Sequence, residues 1–197
     1  ALNIALGIYA PSKNISLDDH LKKFDGLSTR KKIEILEKDG LDKNLKHKII
    51  EKKNEMTSKL LEEKIFFDKD IFEIFKALKL RGYNLSIATN AIRETLEKVI
   101  FKLRIKNFLD FSISNQEVLN SKPHSEIYLK TFISLGINPK EALIIEDSKL
   151  GREAAYNSGG HCLEIENYKK DLTIERILNK ISNIEKNKKM QKWKSDK

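Results

Sequence analysis

After residue 67 the sequence alternates short apolar runs with helical segments, and this alternation constrains the fold more than any other feature. The helical segments place apolar residues three and four positions apart, whereas the apolar runs have the length of single strands. We predict strands at residues 85–88, 108–113, 142–145 and 162–165, separated by helices over 70–80, 92–106, 125–135 and a segment ending at 158. Strands that alternate with helices of about 10–15 residues are typical of a parallel sheet with right-handed crossovers. The sequence therefore predicts an α/β fold.

The first part of the chain has a different pattern, because residues 1–66 show helical periodicity and no strand-like alternation. Ser16 precedes two acidic residues, which is a typical helix start. We therefore divide the chain into a helical unit over residues 1–67, an α/β core over 68–185 and a basic tail over 186–197. The tail is rich in lysine and lacks helical periodicity, so we expect it to be disordered.

Charge and composition exclude several classes of protein. The net charge is +9, but residues 169–197 hold ten Lys/Arg and four Asp/Glu, so most of the excess lies near the end of the chain. With Trp193 as the one tryptophan and no RNA-binding motif, we do not expect nucleic-acid binding. A single cysteine, Cys162, excludes a disulfide framework, and we expect it to be a buried structural residue. Without a signal peptide or an apolar run long enough to span a bilayer, we expect a monomeric, cytoplasmic protein.

Polar residues follow three of the predicted strands. Thr89 and Asn90 follow the first strand, Lys122 lies in the loop after the second, and Glu146 and Asp147 follow the third. Because ligands of open α/β sheets bind at the carboxyl ends of the strands, we expect these residues to meet at one rim. A hydroxyl, a cation and two carboxylates suit a phosphoryl group and Mg²⁺.

Each of these short motifs also has an ordinary structural interpretation. Thr-Asn at a strand end forms turns, Lys-Pro is common in loops, and Glu-Asp before Ser148 is typical of a helix N-terminus. It is the order of the three motifs along the chain that favours a phosphate site.

The same motifs resemble those of the haloacid dehalogenase superfamily of phosphohydrolases, in the branch that holds β-phosphoglucomutase and phosphoglycolate phosphatase. The resemblance is carried by residues 87–90, 121–128 and 144–148, and it continues through Gly151, Ala154, Ala155 and Gly159. It implies a Rossmann-like parallel sheet with a helical cap formed by residues 1–67. It also implies that Thr89 and Asn90 bind phosphoryl oxygens, that Lys122 bridges phosphate and nucleophile, and that Glu146 and Asp147 position Mg²⁺.

Two cap residues also resemble family contacts with the substrate. Arg30 lies in a segment, residues 26–30, that resembles the family's substrate-reading loop, and Lys53 resembles a second cap contact. Both are therefore candidate substrate-binding residues.

The resemblance also implies an aspartate nucleophile, in a D-x-D motif at the end of the sheet's first strand, which forms an aspartyl-phosphate. The triplet 68–70 has this spacing but precedes a helix, so we interpret it as a hinge. We expect that the first strand lies outside this sequence, which begins inside a helical pattern. On this interpretation the sheet has a gap between the strands that end at Thr89 and Glu146, and the chain alone is inactive.

The leading hypothesis is a Mg²⁺-dependent phosphatase of a small phosphorylated metabolite, with sugar phosphates among the candidates. A phosphomutase and a non-catalytic relative that binds a phosphorylated ligand or a partner are the alternatives. In the enzyme restored with its first strand, we expect Lys122→Ala to cost about 3 kcal/mol or more of transition-state stabilisation. Because Lys122 is predicted in a loop, we expect little effect of this substitution on folding.

Overall fold

The computed structural model describes residues 1–195 of the chain, with side chains through residue 187. Its first part is helical, with α1 Leu2–Tyr9, α2 Leu17–Asp19, a π-helical turn His20–Phe24, α3 Thr29–Lys38 and α4 Lys46–Lys64. The Oγ of Ser16 accepts a hydrogen bond from the backbone N–H of Asp19 at 3.0 Å, which is the N-cap that the sequence predicted.

The second part alternates helices and strands. The elements in order are α5 Lys69–Leu80, β1 Ser86–Ala88, α6 Arg93–Lys102, β2 Phe111–Ile113, α7 Glu126–Leu135, β3 Leu143–Glu146, α8 Lys149–Asn157, β4 His161–Glu164, α9 Tyr168–Asp171 and α10 Ile174–Ser195. Short 3₁₀ turns lie at Pro11–Lys13, Lys43–Leu45, Lys106–Phe108, Asn115–Glu117 and Pro139–Glu141. The predicted α/β fold is confirmed.

The strands form two parallel pairs. In one pair Ser86 of β1 lies opposite Phe111 of β2, and in the other Leu143 of β3 lies opposite His161 of β4. Within residues 1–195 no strand connects β1 to β3, so each has one edge without a strand partner.

Apolar clusters pack on the faces of these strands. One combines residues of α7, α8 and three strands, so it holds both strand pairs together: Ile113, Ile127, Tyr128, Phe132, Ala142, Ile144, Ala154, Ala155 and Cys162. Another packs α5 and α10 against β4: Ile74, Leu78, Leu163, Ile165 and Ile177. The helical part has its own cluster: Ala5, Leu6, Phe24, Ile33, Leu36, Leu41 and Ile49.

Two segments differ from the prediction. The helix predicted over 92–106 ends at Lys102, because Arg104 adopts a left-handed φ of 58° and the Ile105 N–H bonds to the Ile100 carbonyl. The residues that follow form a 3₁₀ turn, so β2 begins at Phe111 and not at 108.

The predicted tail also differs, since α10 continues through residues 186–195. Lysine has a high helix propensity, which allows a helix to extend beyond its last buried apolar residue. Residues 196 and 197 lie outside the described part. Within the described part, no helix combines the length and the apolar composition that crossing a membrane requires.

Candidate active site

The end of β1 fixes two polar side chains. The Thr89 N–H continues the pairing of β1 with β2 by donating to the Ile113 carbonyl, and the Thr89 Oγ1 accepts from the Ala91 N–H at 3.1 Å. This hydrogen bond forms a turn, which is the ordinary structural role of Thr-Asn at the end of a strand. The Thr89 hydroxyl can still donate its own hydrogen, because accepting one bond leaves the O–H unused.

Asn90 connects three segments that are distant in the sequence. Its Nδ2 donates to the Gly26 carbonyl of the helical part at 2.8 Å, and its Oδ1 accepts from the Lys122 N–H at 3.2 Å. Gly26 has a φ of 70°, and a Cβ there would lie 3.3 Å from the Ser148 Oγ. A glycine therefore allows the helical part to approach the strand ends closely.

Lys122 is buried, with 6% of its surface exposed. Its Nζ donates to the Ala88 carbonyl at 3.0 Å and to Glu146 Oε1, and it lies 4.8 Å from the centre of the Tyr128 ring. Lys122 lies in a loop, as predicted, but the expectation that its replacement would have little effect on folding does not fit this burial. The buried ammonium is balanced by a buried carboxylate, so we expect its removal to destabilise the fold.

The two adjacent carboxylates have different environments. Glu146, 8% exposed, accepts from both Lys122 and the Tyr128 hydroxyl, and its Oε2 packs against Gly151, where an added Cβ would lie 1.9 Å away. Asp147 is exposed, and its carboxylate accepts no hydrogen bond from the described side chains, whereas its backbone carbonyl accepts one from Arg152 at 2.9 Å. Of the two, Asp147 is the carboxylate with free oxygen atoms.

All five strand-end residues line one cavity of about 590 Å³, which lies between β1 and β3. The lining residues are Asp25, Gly26, Ile87, Ala88, Thr89, Asn90, Lys122, Ile145, Glu146, Asp147, Ser148 and Glu166. The structure thus brings together a hydroxyl, a fixed ammonium and an exposed carboxylate, groups that suit a phosphoryl group.

The two cap candidates are placed differently. Lys53 lines a second, adjoining cavity of about 330 Å³. Arg30 lines neither cavity; its side chain is 79% exposed and pairs with Glu34 at 3.0 Å. The structure therefore does not bring Arg30 to the other candidates.

Sequence reasoning missed Asp25 and Glu166, and it gave no individual role to Gly26 and Tyr128, which lie within segments that carry the family resemblance. Tyr128 could have been found, because a buried tyrosine next to a candidate motif needs a partner for its hydroxyl. Burial, and then the charge of Glu146, raise the pKa of Tyr128 well above its usual value, so its hydroxyl keeps its proton and donates. Asp25 and Glu166 carry no local signal, since each reaches the cavity through tertiary packing.

A metal site is only partly formed by the described residues. Among the side chains that the structure describes, no group of three or more His, Cys, Asp or Glu is placed to hold a metal ion. Mg²⁺ is usually bound by one or two carboxylates together with waters and substrate phosphates. Asp147 fits that pattern as a single carboxylate, whereas Glu146 is already paired with Lys122.

Comparisons with known proteins identify the family of the chain. The family model described as haloacid dehalogenase-like hydrolase matches residues 4–165. A phosphorylated carbohydrates phosphatase of Thermotoga maritima is 33% identical over 123 residues, which are 62% of this chain and 54% of the relative. The chain thus spans about half the length of that relative.

Two further similarities extend over more of the chain. The phosphoglycolate phosphatase of Aquifex aeolicus is 29% identical over 81% of this chain and 75% of its own length. The crystal structure of β-phosphoglucomutase from Clostridium difficile matches with a TM-score of 0.70 and 22% identity, over 87% of this chain and 79% of its own. The last similarity concerns the fold alone.

Proposed function

The chain belongs to the haloacid dehalogenase-like hydrolase family, and from this we propose that it is the main part of a phosphatase of small phosphorylated metabolites. Sugar phosphates are one candidate class, because a relative named for phosphorylated carbohydrates is 33% identical over the matched region. The observation that carries the proposal is the cavity at which Thr89, Lys122 and Asp147 meet.

Lys122 would be the fixed counter-charge of the phosphoryl group. A lysine ammonium has three hydrogens to donate, and the Ala88 carbonyl and Glu146 Oε1 take two of them. The third is available to a phosphoryl oxygen in the cavity. Since both protein acceptors are themselves held by packing, the ammonium is oriented before the substrate arrives, which is the arrangement that stabilises charge in a transition state. In this proposal Glu146 positions Lys122.

Thr89 and Asn90 would bind the phosphoryl oxygens at the end of β1. The Thr89 hydroxyl would donate to one oxygen, and Asn90 would donate the Nδ2 hydrogen that the Gly26 carbonyl does not take, while its Oδ1 holds the loop of Lys122. We propose that Mg²⁺ binds to Asp147, where it would neutralise charge on the phosphoryl oxygens.

We propose that the nucleophile is an aspartate outside residues 1–197, carried by a strand between β1 and β3. Among the described residues, β1 and β3 each have one edge without a strand partner, and Ala88 and Ile145 of these strands line the cavity. The aspartate oxygen would attack phosphorus and break the bond from phosphorus to the ester oxygen, which would leave as an alkoxide and take a proton from water to become the alcohol. Water would then hydrolyse the aspartyl-phosphate to phosphate and restore the carboxylate. The chain by itself would then bind phosphate esters with little turnover.

A non-catalytic binding protein is the second candidate. It is favoured by the same free strand edges, together with the lack of a three-carboxylate group among the described side chains. Such a protein would bind phosphorylated ligands at Thr89 and Lys122 without cleaving them.

We also propose that residues 1–67 act as a cap over a core formed by residues 68–185. The separate apolar cluster of the helical part supports this division. The cytoplasmic location and the monomeric state stay predictions.

The test compares two proteins, the 197-residue chain and a form extended at its N-terminus by the in-frame upstream codons. We expect both to bind inorganic phosphate, and only the extended form to hydrolyse p-nitrophenyl phosphate with Mg²⁺. Asp147→Asn in the extended form should raise the Mg²⁺ concentration needed for half-maximal activity, while Asp18→Asn, an exposed control on α2, should not.

Three outcomes of this comparison are informative. An upstream stop codon and phosphate binding without hydrolysis would favour the binding protein. Equal hydrolysis by both forms would show that the nucleophile lies within the 197 residues. Loss of phosphate binding in both forms would overturn the proposed function.

A further inference from the structure

The loop that follows β1 is held from the side of β2 by a residue outside the two cavities. The Asn115 side chain donates from Nδ2 to the Asn90 carbonyl at 2.7 Å, and the Asn115 backbone N–H donates to the Ala91 carbonyl at 3.1 Å. These bonds continue the contact between β1 and β2 beyond the last strand residues, Ala88 and Ile113. Asn115 lines neither cavity, so it affects the site only through the loop that it holds.

The turn that carries Asn115 is itself fixed. Ser114 is fully buried and caps the 3₁₀ turn that begins at Asn115, while the Glu117 carboxylate accepts from the N–H and the hydroxyl of Ser114. The Arg93 guanidinium donates to Glu117 and, at 3.0 Å, to the Ser112 carbonyl. Because of these bonds, Asn115 has little freedom to move away from the loop after β1.

The peptide group between Asn90 and Ala91 has both of its polar ends bound. Asn115 holds its carbonyl, and its N–H donates to the Thr89 Oγ1 at 3.1 Å. The C=O and the N–H of a trans peptide group point in opposite directions. The bond from Asn115 to the carbonyl therefore helps to aim the N–H at Thr89, and without it the peptide group could rotate and release the Thr89 oxygen.

The Ala91 N–H in turn determines how the Thr89 hydroxyl is used. A hydroxyl accepts at its lone pairs and donates its single hydrogen. The Ala91 N–H occupies a lone pair of Oγ1, and no residue in the described part of the chain accepts the hydroxyl hydrogen. Since Thr89 lines the main cavity, that hydrogen is available to a ligand there.

We propose that Asn115 is a positioning residue of the phosphate site, which holds the Asn90–Ala91 peptide group so that the Thr89 hydroxyl donates to the phosphoryl group. This inference rests on the proposed function and adds to it a residue that does not touch the ligand. It also accounts for the defined geometry of a loop whose strand has one edge without a strand partner, because the support comes from the β2 side.

The test measures the affinity of the 197-residue chain for inorganic phosphate, in the presence of Mg²⁺, by isothermal titration calorimetry. Asn115→Ala removes the side-chain donor and keeps the backbone N–H that bonds to Ala91. We expect this variant to bind phosphate about fivefold or more weakly than the parent chain, since one hydrogen bond to the ligand is misdirected.

Asn138→Ala is the matched control. The Asn138 Oδ1 accepts from the Lys140 N–H at 3.0 Å in the turn before β3, so this variant also loses one bond between an asparagine side chain and the backbone. Asn138 lines neither cavity, because its turn lies at the opposite end of β3 from Glu146. Urea unfolding should show similar stability losses in the two variants, whereas only Asn115→Ala should lose phosphate affinity.

A double-mutant cycle with Thr89→Val separates positioning from a general loss of structure. Valine has the shape of threonine without the hydroxyl, so the Thr89→Val chain lacks the group that Asn115 is proposed to position. Adding Asn115→Ala to this chain should have no further effect on phosphate affinity. A residue that only stabilised the fold would lower the affinity by the same factor in both backgrounds.

The outcomes separate this inference from the proposed function. Unchanged phosphate affinity in Asn115→Ala, or an equal loss in Asn138→Ala or in the Thr89→Val background, would overturn the inference and leave the phosphatase proposal standing. Unchanged affinity in Thr89→Val would overturn the inference together with the proposed role of Thr89. Absence of phosphate binding by the parent chain would overturn both the inference and the proposed function.

Discussion

The Nζ of Lys122 donates to Oε1 of Glu146, and this buried ion pair ties the loop after β2 to the end of β3. The two residues belong to different strand pairs, which no strand within the described residues connects. The ion pair therefore both orients the proposed phosphate-binding cation and links the two halves of the α/β core.

Lys122→Met should lower the free energy of unfolding by about 3–5 kcal/mol, because it leaves the Glu146 carboxylate buried without a counter-charge. Adding Glu146→Gln, which still accepts from Tyr128, should recover much of that loss. Urea denaturation of both variants and the parent chain measures the effect. Lys59→Met, which breaks an exposed pair with Glu55, is the control and should have little effect. A Lys122→Met variant as stable as this control would contradict the prediction.

Gly151→Ala should destabilise the chain by about 1–3 kcal/mol, since the new Cβ would lie 1.9 Å from Glu146 Oε2 and must displace a buried carboxylate. Gly7→Ala, in helix α1, is the control, and it should change the free energy of unfolding in the opposite direction. Its Cβ meets nothing closer than 4.0 Å, so the substitution should stabilise by about 0.5–1 kcal/mol. Thermal or urea unfolding distinguishes the two. Equal changes at both positions would show that Glu146 is not held against α8.

Acid should destabilise the loop that carries Lys122, because it protonates Glu126. Hydrogen bonds from the backbone N–H of Leu119 and Asn120 lower the pKa of Glu126 to about 2. A folded-state pKa below the usual 4.5 means that the stabilisation is complete above pH 4.5 and is lost as the pH falls toward 2.

The parent chain should therefore lose more unfolding free energy between pH 5 and pH 2.5 than Glu126→Gln does. Glu51→Gln removes an exposed carboxylate of α4 and is the control; it should follow the parent chain. If Glu126→Gln and the parent chain showed parallel pH profiles, the loop would not depend on this carboxylate.

Cys162 should react slowly with thiol reagents in the folded protein. It is buried in β4, and burial, followed by the charge of Glu164, raises the pKa of its thiol to about 11. The neutral thiol is a poor nucleophile, so labelling at pH 8 should be complete only after unfolding in guanidinium chloride. Fast labelling of the folded chain would show that β4 is open to solvent. Together with its burial, slow labelling would support the structural role predicted from the sequence.

Local signals in the sequence were sufficient for the order of strands and helices and for the five strand-end residues of the main cavity. Apolar runs of strand length between amphipathic helices predicted the α/β fold. The rule that ligands bind at the carboxyl ends of strands selected the residues of the cavity: Thr89, Asn90, Lys122, Glu146 and Asp147. These inferences succeed because they depend on residues within one strand or one helical turn. The end of α6 was missed, because the left-handed conformation of Arg104 has no glycine to mark it.

Only the tertiary structure decided what these side chains touch. Lys122 has the sequence environment of a loop, yet the approach of α7 and β3 buries its ammonium against Glu146. Arg30 and Lys32 are two residues apart, hence about 200° apart around α3, and the tertiary structure places Lys32 in the lining of a cavity while Arg30 pairs with Glu34 on the surface. Burial and side-chain direction depend on elements that are distant in the sequence, so the pattern of residues along the chain does not determine them.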